Sequence, residues 1–251
     1  VAAITALTVQ STRGVRGLQP VSAEFLRAQL EELLKDISVA AVKIGMLATR
    51  ANLQVVADVL EKKKFAHVVL DPVLRATSGM ELLEASGVKE LSKRLFGLAT
   101  VITPNLAEAA TLAGLEIRKM DDMKAAAEKL RALGAKAVVI TAGDWEKPVD
   151  LLYDGAEFST FERERVRSEN THGTGCAFSS AIAANLAAGR QLPDAVMLAK
   201  AYVAKAIERG YPIGKGKGPL NHFYRQQNGQ TVHSHSTHVP AEGPQHALSH
   251  F

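Results

Sequence analysis

The sequence predicts an α/β fold, a mostly parallel central sheet with helices on both faces. Three observations carry that expectation. Short apolar runs alternate with segments of helical period along most of the chain. The runs are continuously apolar, as strands buried on both faces are, rather than alternating with polar residues. Polar or glycine residues follow nearly every run, where the carboxyl ends of parallel strands would form one rim. A chain of 251 residues suffices for one sizeable domain with its own core.

The elements can be justified in order. Ile4-Thr5-Ala6-Leu7-Thr8-Val9-Gln10 reads as a buried strand. Ser22 is a good helix N-cap, so a helix is expected from there to Lys35. Val39 to Ile44, Ala66 to Leu70, Thr100 to Thr103 and Lys136 to Thr141 are the short apolar runs. Helical patterns lie near 50–63, 84–96, 105–113 and 121–133. Repeated strand–helix–strand units demand right-handed crossovers and a covered sheet. The segments 149–154 and 157–162 flank Asp154-Gly155-Ala156, an antiparallel hairpin at one edge. Two Ala-rich helices follow, near 175–189 and 193–208. The expected domain therefore covers 1–226. From Gln227 to Phe251 the chain is polar, without apolar periodicity, and is expected to be a disordered tail. His233, His235 and His238 lie in it with no Cys partners, a poor pattern for a built metal site.

Composition excludes several function classes. Apolar residues make up 47% and charged residues 22%, ordinary for a globular protein, and no run of eighteen apolar residues could span a membrane. The net charge of +4 is mild. The basic run Lys62-Lys63-Lys64 ends a helical pattern, where cations complement the helix dipole, so no nucleic-acid surface is expected. The single cysteine, Cys176, forms no internal disulfide and suits a reducing cytoplasm.

Chemistry is expected on the strand-end rim. Gln10, Gly45-Met46, Asp71-Pro72, Thr103-Pro104-Asn105 and Thr141-Ala142-Gly143 each follow a run. The densest signal is Asn170-Thr171-His172-Gly173-Thr174-Gly175-Cys176, leading straight into Ala177-Phe178-Ser179. Glycines let backbone N–H groups turn inward, and a helix N-terminus adds partial positive charge, so Gly173, Thr174 and Gly175 form a cradle for a phosphoryl group. Cys176 falls in the first helical turn, where its thiol pKa is expected to be lowered and a thiolate could act as a base. The plainer alternatives are a helix cap and a small core cysteine. Gly214-Lys215-Gly216-Lys217-Gly218 lacks the spacing of a Walker phosphate loop and the preceding strand of a dinucleotide fingerprint.

The seven-residue stretch resembles the anion-hole motif of hydroxymethylpyrimidine and phosphomethylpyrimidine kinases, within the ribokinase-like superfamily. The resemblance also runs through Thr5-Ala6-Leu7-Thr8-Val9-Gln10, Val42-Lys43-Ile44-Gly45-Met46-Leu47, Asp71-Pro72-Val73, Thr103-Pro104-Asn105-Leu106-Ala107-Glu108-Ala109 and Gly216-Lys217-Gly218-Pro219-Leu220-Asn221-His222-Phe223. It implies a ribokinase-like fold and ATP-dependent phosphorylation of an aminopyrimidine alcohol or its monophosphate in thiamine synthesis. It implies Gln10 and Met46 against the pyrimidine ring, and Cys176 as catalytic base beside Gly173, Thr174 and Gly175. It further implies Asn105 and Glu108, with Asp71 on the same rim, near Mg²⁺. The plainer reading of Asn105 is a helix N-cap, and of Glu108 a first-turn carboxylate. Thr141 and Gly143, with Gly173 and Gly175, fall on the nucleotide side, although Ala142 stands where the family often has glycine. A homodimer is implied by resemblance alone. Two other readings stay open: a pyridoxal or pyridoxine kinase using the same cysteine motif, and a non-catalytic pyrimidine-binding module. The second arises because related kinases place a strand, a Gly-rich turn and a helix before the position of Val1, which predicts an open sheet edge here.

Overall fold

The computed structural model of the protein describes residues 1–226. The expected tail, with its histidines, lies outside the described residues. A six-stranded mixed sheet runs in the order β3-β4-β5-β6-β7-β8. Strands β3 (Ala41–Ile44), β4 (His67–Leu70), β5 (Val101–Ile102) and β6 (Val138–Ala142) are parallel. The hairpin β7 (Val149–Tyr153) and β8 (Phe158–Glu162) continues from β6 antiparallel, as its turn chemistry predicts.

The continuous apolar runs explain why the sheet is covered twice. Successive strand residues face opposite sides. Leu70, Ile102, Ile140 and Leu151 join the core under helices α1 (Ala23–Asp36), α2 (Arg50–Lys63), α4 (Leu106–Ala113) and α5 (Met120–Ala132). Helix α3 (Ala85–Arg94) adds Leu91 to that core. Val69, Val101, Val139 and Leu152 face the other way, against Phe178, Ile182 and Leu186 of α6 (Thr174–Ala187) and Val196 and Val203 of α7 (Leu192–Glu208). Each fully buried aliphatic or aromatic side chain there contributes about 1.5–3 kcal/mol relative to exposure.

Capping fixes where helices start. The Ser22 hydroxyl accepts from Phe25 N–H at 3.2 Å, and the Thr49 hydroxyl from Asn52 N–H at 3.1 Å. Helix α2 ends as expected, with Lys62 and Lys63 in its last turn.

One expectation fails. The first run is not a buried strand of the main sheet. Strand β1 (Ala6–Ser11) pairs antiparallel with β2 (Gly14–Pro20) in a separate two-stranded hairpin, and Leu7 and Val9 are 62% and 69% exposed. Thr8 and Gln10 alternate with the apolar residues, and Gly14, at φ 125°, closes a tight turn onto the next segment. Those features favour a local hairpin over a central strand. Several contacts tether it. The Thr5 hydroxyl donates to Met46 O at 2.6 Å, and Asn52 Nδ2 donates to Thr5 O and Val21 O at 3.1 and 3.2 Å. The Gly214–Gly218 stretch packs on the hairpin turn. A side chain at Gly214 would meet Thr12, and one at Gly216 would run into the Thr12–Arg13 backbone.

Strand β3 closes one edge of the sheet. Beside it lies a groove of about 490 Å³, lined by Val42, Ile44, Leu26, Leu30 and Leu33 among others.

Candidate active site

The carboxyl ends of β3 to β6 lie side by side. Asp71 N–H donates to Ile44 O at 2.9 Å, Thr103 N–H to Leu70 O at 2.9 Å, and Thr141 N–H to Pro104 O at 3.1 Å. That ladder sets Met46, Asp71, Asn105 and Thr141 along one rim, as expected for an open α/β sheet.

Gly173 starts α6 with φ at 86°, a left-handed conformation that costs other residues about 1–2 kcal/mol. Gly175 leaves the first turn bare, with open space where a side chain would point. Thr174 is turned back on its own loop: its hydroxyl donates to Thr171 O at 2.7 Å and its N–H to the same oxygen at 3.4 Å. The turn read from the sequence as a phosphoryl cradle is thus a glycine-opened helix start.

Behind the cradle sits a charged cluster. Asp71, 4% exposed, is ion-paired with Lys43 Nζ at 3.2 Å and accepts from the Ser179 hydroxyl at 3.0 Å. The Cys176 thiol lies close enough to Asp71 and Lys43 to feel both charges. Cys176 as a residue is exposed, yet enough protein backs the sulfur for burial to be the leading influence on its acidity. Burial, and then the Asp71 carboxylate, push the thiol up from its ordinary value, while Lys43 pulls it down. The expected depression is therefore corrected. Burial of the sulfur, reinforced by the Asp71 carboxylate, outweighs the partial charge of a helix terminus.

Glu108 and Asn105 form a capping box at the start of α4. Glu108 N–H donates to Asn105 Oδ1 at 3.0 Å, and Asn105 N–H donates to Glu108 Oε2 at 3.0 Å. Leu74 N–H donates to Glu108 Oε1 at 3.4 Å. Burial pushes the Glu108 carboxyl up to about 7, and the negative Asp71 adds to this, against the two backbone donors. The capping reading of Asn105 is thus realised, and Glu108 sits in the electrostatic field of Asp71. Among the described residues no three His, Cys, Asp or Glu side chains converge as a metal cage.

The hairpin delivers Gln10 to this rim. A register shift between Val9 and Gln10 re-aims the strand, and Gln10 Nε2 comes to 3.1 Å from His172 Nε2. Met46 is half-buried beside the Thr5 tether. Gln10, Met46, Asp71 and Cys176 are thus drawn toward one end of α6. Asn105 bridges Thr141 backbone to backbone, while Gly143 is exposed past the end of β6 with open space around it. No packing requires glycine at 143.

Two residues of the cluster escaped the sequence reading. Lys43 is a charge inside the apolar run Val42-Lys43-Ile44, a pattern that asks for a buried partner. Ser179 lies three residues after Cys176, on the same helix face.

A family model described as phosphomethylpyrimidine kinase matches residues 1–221. The hydroxymethylpyrimidine/phosphomethylpyrimidine kinase of Rhizobium meliloti is 43% identical over 228 residues, covering 88% of this chain and 85% of that protein. The thiamine biosynthesis bifunctional protein ThiED of Geobacter sulfurreducens is also 43% identical, over 222 residues. The match covers 88% of this chain, which spans 45% of that longer protein. Among solved structures, an ADP complex of Bacillus subtilis pyridoxal kinase superposes with a TM-score of 0.81 at 36% identity, covering 90% of this chain and 86% of that one. With this fold, this rim and a match across nearly all the described residues, the chain belongs to the phosphomethylpyrimidine kinase family.

Proposed function

We propose that the chain transfers the γ-phosphoryl group of ATP to the hydroxymethyl oxygen of an aminopyrimidine, and then to the resulting monophosphate, in thiamine synthesis. The observation that carries this is the joint placement of Gln10, Asp71, Lys43 and Cys176 about the glycine cradle of α6 in a chain of this family. In the first transfer the hydroxyl oxygen attacks phosphorus, the bond to the β-phosphate oxygen breaks, and ADP leaves. The hydroxyl proton passes to Cys176 Sγ. Cys176 must be a thiolate to accept it. Burial and Asp71 oppose that state and Lys43 favours it.

Gly173 and Gly175, with Thr174 held between them by Thr171 O, turn the N-terminus of α6 toward the charge that develops on the phosphoryl group. Thr141 and Gly143 flank the nucleotide phosphates from the end of β6. Gln10 offers an amide donor and acceptor to the ring's nitrogen edge, with Met46 against its face. Asp71, Glu108 and Asn105 would hold Mg²⁺ through its water shell rather than as a cage of protein ligands. Both Glu108 oxygens and Asn105 Oδ1 already accept backbone N–H groups. When bound, Mg²⁺ neutralises phosphate charge. The domain over residues 1–226 is read from the element pattern and a cytoplasmic setting from the lone cysteine, while a homodimer rests on the resemblance alone. No helix of the described residues is long and apolar enough to cross a membrane.

The likeness to a pyridoxal kinase structure supports a second reading, in which the acceptor is a pyridine alcohol. The test is side-by-side turnover with Mg·ATP, following ³¹P resonances of the products. Phosphorylation of the aminopyrimidine alcohol and its monophosphate is expected. Turnover of pyridoxal alone would favour the second reading. Ligand-dependent thermal stabilisation with no ATP consumption would mark a binding module.

A further inference from the structure

Lys43 is the one cation in contact with Cys176 among the described residues, and its placement is built rather than incidental. Its neighbours Val42 and Ile44 turn into the core under α1 and α2, so Lys43 projects toward the α6 face. Its side chain is only 20% exposed. Gly45 makes room for the ammonium, because a Cβ there would lie 2.6 Å from Lys43 Nζ. An ammonium has three donors. Asp71 lies 3.2 Å away as its ion-pair partner, and the remaining N–H groups can meet an incoming acceptor at the cradle.

The two proposed acceptors place different charge at that point. An alcohol brings one neutral oxygen to the cradle. A monophosphate brings an oxygen whose phosphorus carries two more, with about −1.5 to −2 charge at neutral pH. Those oxygens would face the buried Asp71 carboxylate, a repulsion that the Lys43 ammonium, 3.2 Å from that carboxylate, relieves from the protein's side alongside the Mg²⁺ of the nucleotide. Resting on the functional reading above, we propose that Lys43 admits the phosphorylated acceptor: its ammonium, held by Asp71 beside Cys176, receives the monoester phosphate in the second transfer.

The test uses the full chain with Lys43→Met and Lys43→Arg. KM and kcat are measured for the alcohol and the monophosphate at saturating Mg·ATP. Lys43→Met should raise KM for the monophosphate about 10- to 100-fold, the range of one charge-assisted hydrogen bond, and KM for the alcohol by much less. Lys43→Arg should recover part of the loss. An equal rise for both acceptors would make Lys43 a structural ion-pair partner only and overturn the proposal. Should Lys43→Met fail to fold, lysine acetylation of the parent protein read by mass spectrometry decides instead. The monophosphate should protect Lys43 more than the alcohol does, and equal protection refutes the role. A parent that phosphorylates neither acceptor overturns the functional reading and this one with it. An active parent whose Lys43→Met variant keeps its monophosphate KM overturns this one alone.

Discussion

Replacing Glu108 by Gln should make the metal-free protein more stable above neutral pH and less stable in acid. Glu108 is 8% exposed, and both its oxygens accept backbone N–H groups. Burial raises its pKa from an ordinary 4.5 to about 7. The folded protein therefore holds this proton more tightly than the unfolded chain does. Its contribution to stability is full below about pH 4.5, and roughly 3 kcal/mol is lost as pH rises through 7. Glutamine keeps the shape and never ionises, so the variant escapes that loss. It has one acceptor oxygen instead of two, and the longer contact from Leu74 N–H is the natural one to go, at about 1 kcal/mol. The variant should then be about 2 kcal/mol more stable than the parent at pH 8 and about 1 kcal/mol less stable at pH 4.5. Urea unfolding in EDTA at half-unit pH steps measures both curves. Parallel curves would show that Glu108 does not titrate in this range, and the electrostatic account of the site would fall.

Three further outcomes are expected. Glu108→Gln should raise the Mg²⁺ concentration for half-maximal rate by removing a charge that attracts the hydrated cation, and a titration overlaying the parent's would make Glu108 purely structural. Cys176→Ala should slow alcohol phosphorylation about 10²- to 10⁴-fold and spare the monophosphate, whose oxygens need little base help. Equal damage to both in steady-state rates would leave Cys176 a packing role. Gln10→Leu should weaken aminopyrimidine binding by about 1–3 kcal/mol with little change for ATP, and calorimetric losses equal for both ligands would indicate a damaged hairpin instead.

Much of the fold was legible because its signals are local. Helix α2 runs from Arg50 to Lys63, where periodicity placed it, and Ser22 and Thr49 cap as their chemistry dictates. Most strands of the main sheet announce themselves as apolar runs because both faces are covered. The first run was misread because Leu7 and Val9 are apolar yet exposed, and the hairpin is marked by the alternating Thr8 and Gln10 and the following Gly14 turn. The cradle was readable as a motif within seven residues. Its electrostatics were not. Asp71 and Ser179 are 108 positions apart, Gln10 and His172 are 162 apart, and no local pattern encodes which charges the fold will bring together. The direction of the Cys176 shift was missed because burial of the sulfur, its leading cause, and the nearby Asp71 both arise from such long-range packing.

The residue proposed to read the ring's polar edge is carried on the least supported element of the fold. Two strands alone are marginally stable in water, so β1 and β2 hold their place through Thr5, Asn52 and the Gly214–Gly218 stretch. Any fraction of time the hairpin spends lifted away reduces the apparent affinity for the ring by that same fraction, with the intrinsic contact to Gln10 unchanged. Gln29, which both accepts from Ile4 N–H and donates to Ile4 O, and Ser78, whose hydroxyl accepts from Val15 N–H, thereby become affinity determinants that never touch a ligand. Discrimination between ring systems would then be tuned from the hairpin's anchors, without altering the phosphoryl-transfer centre.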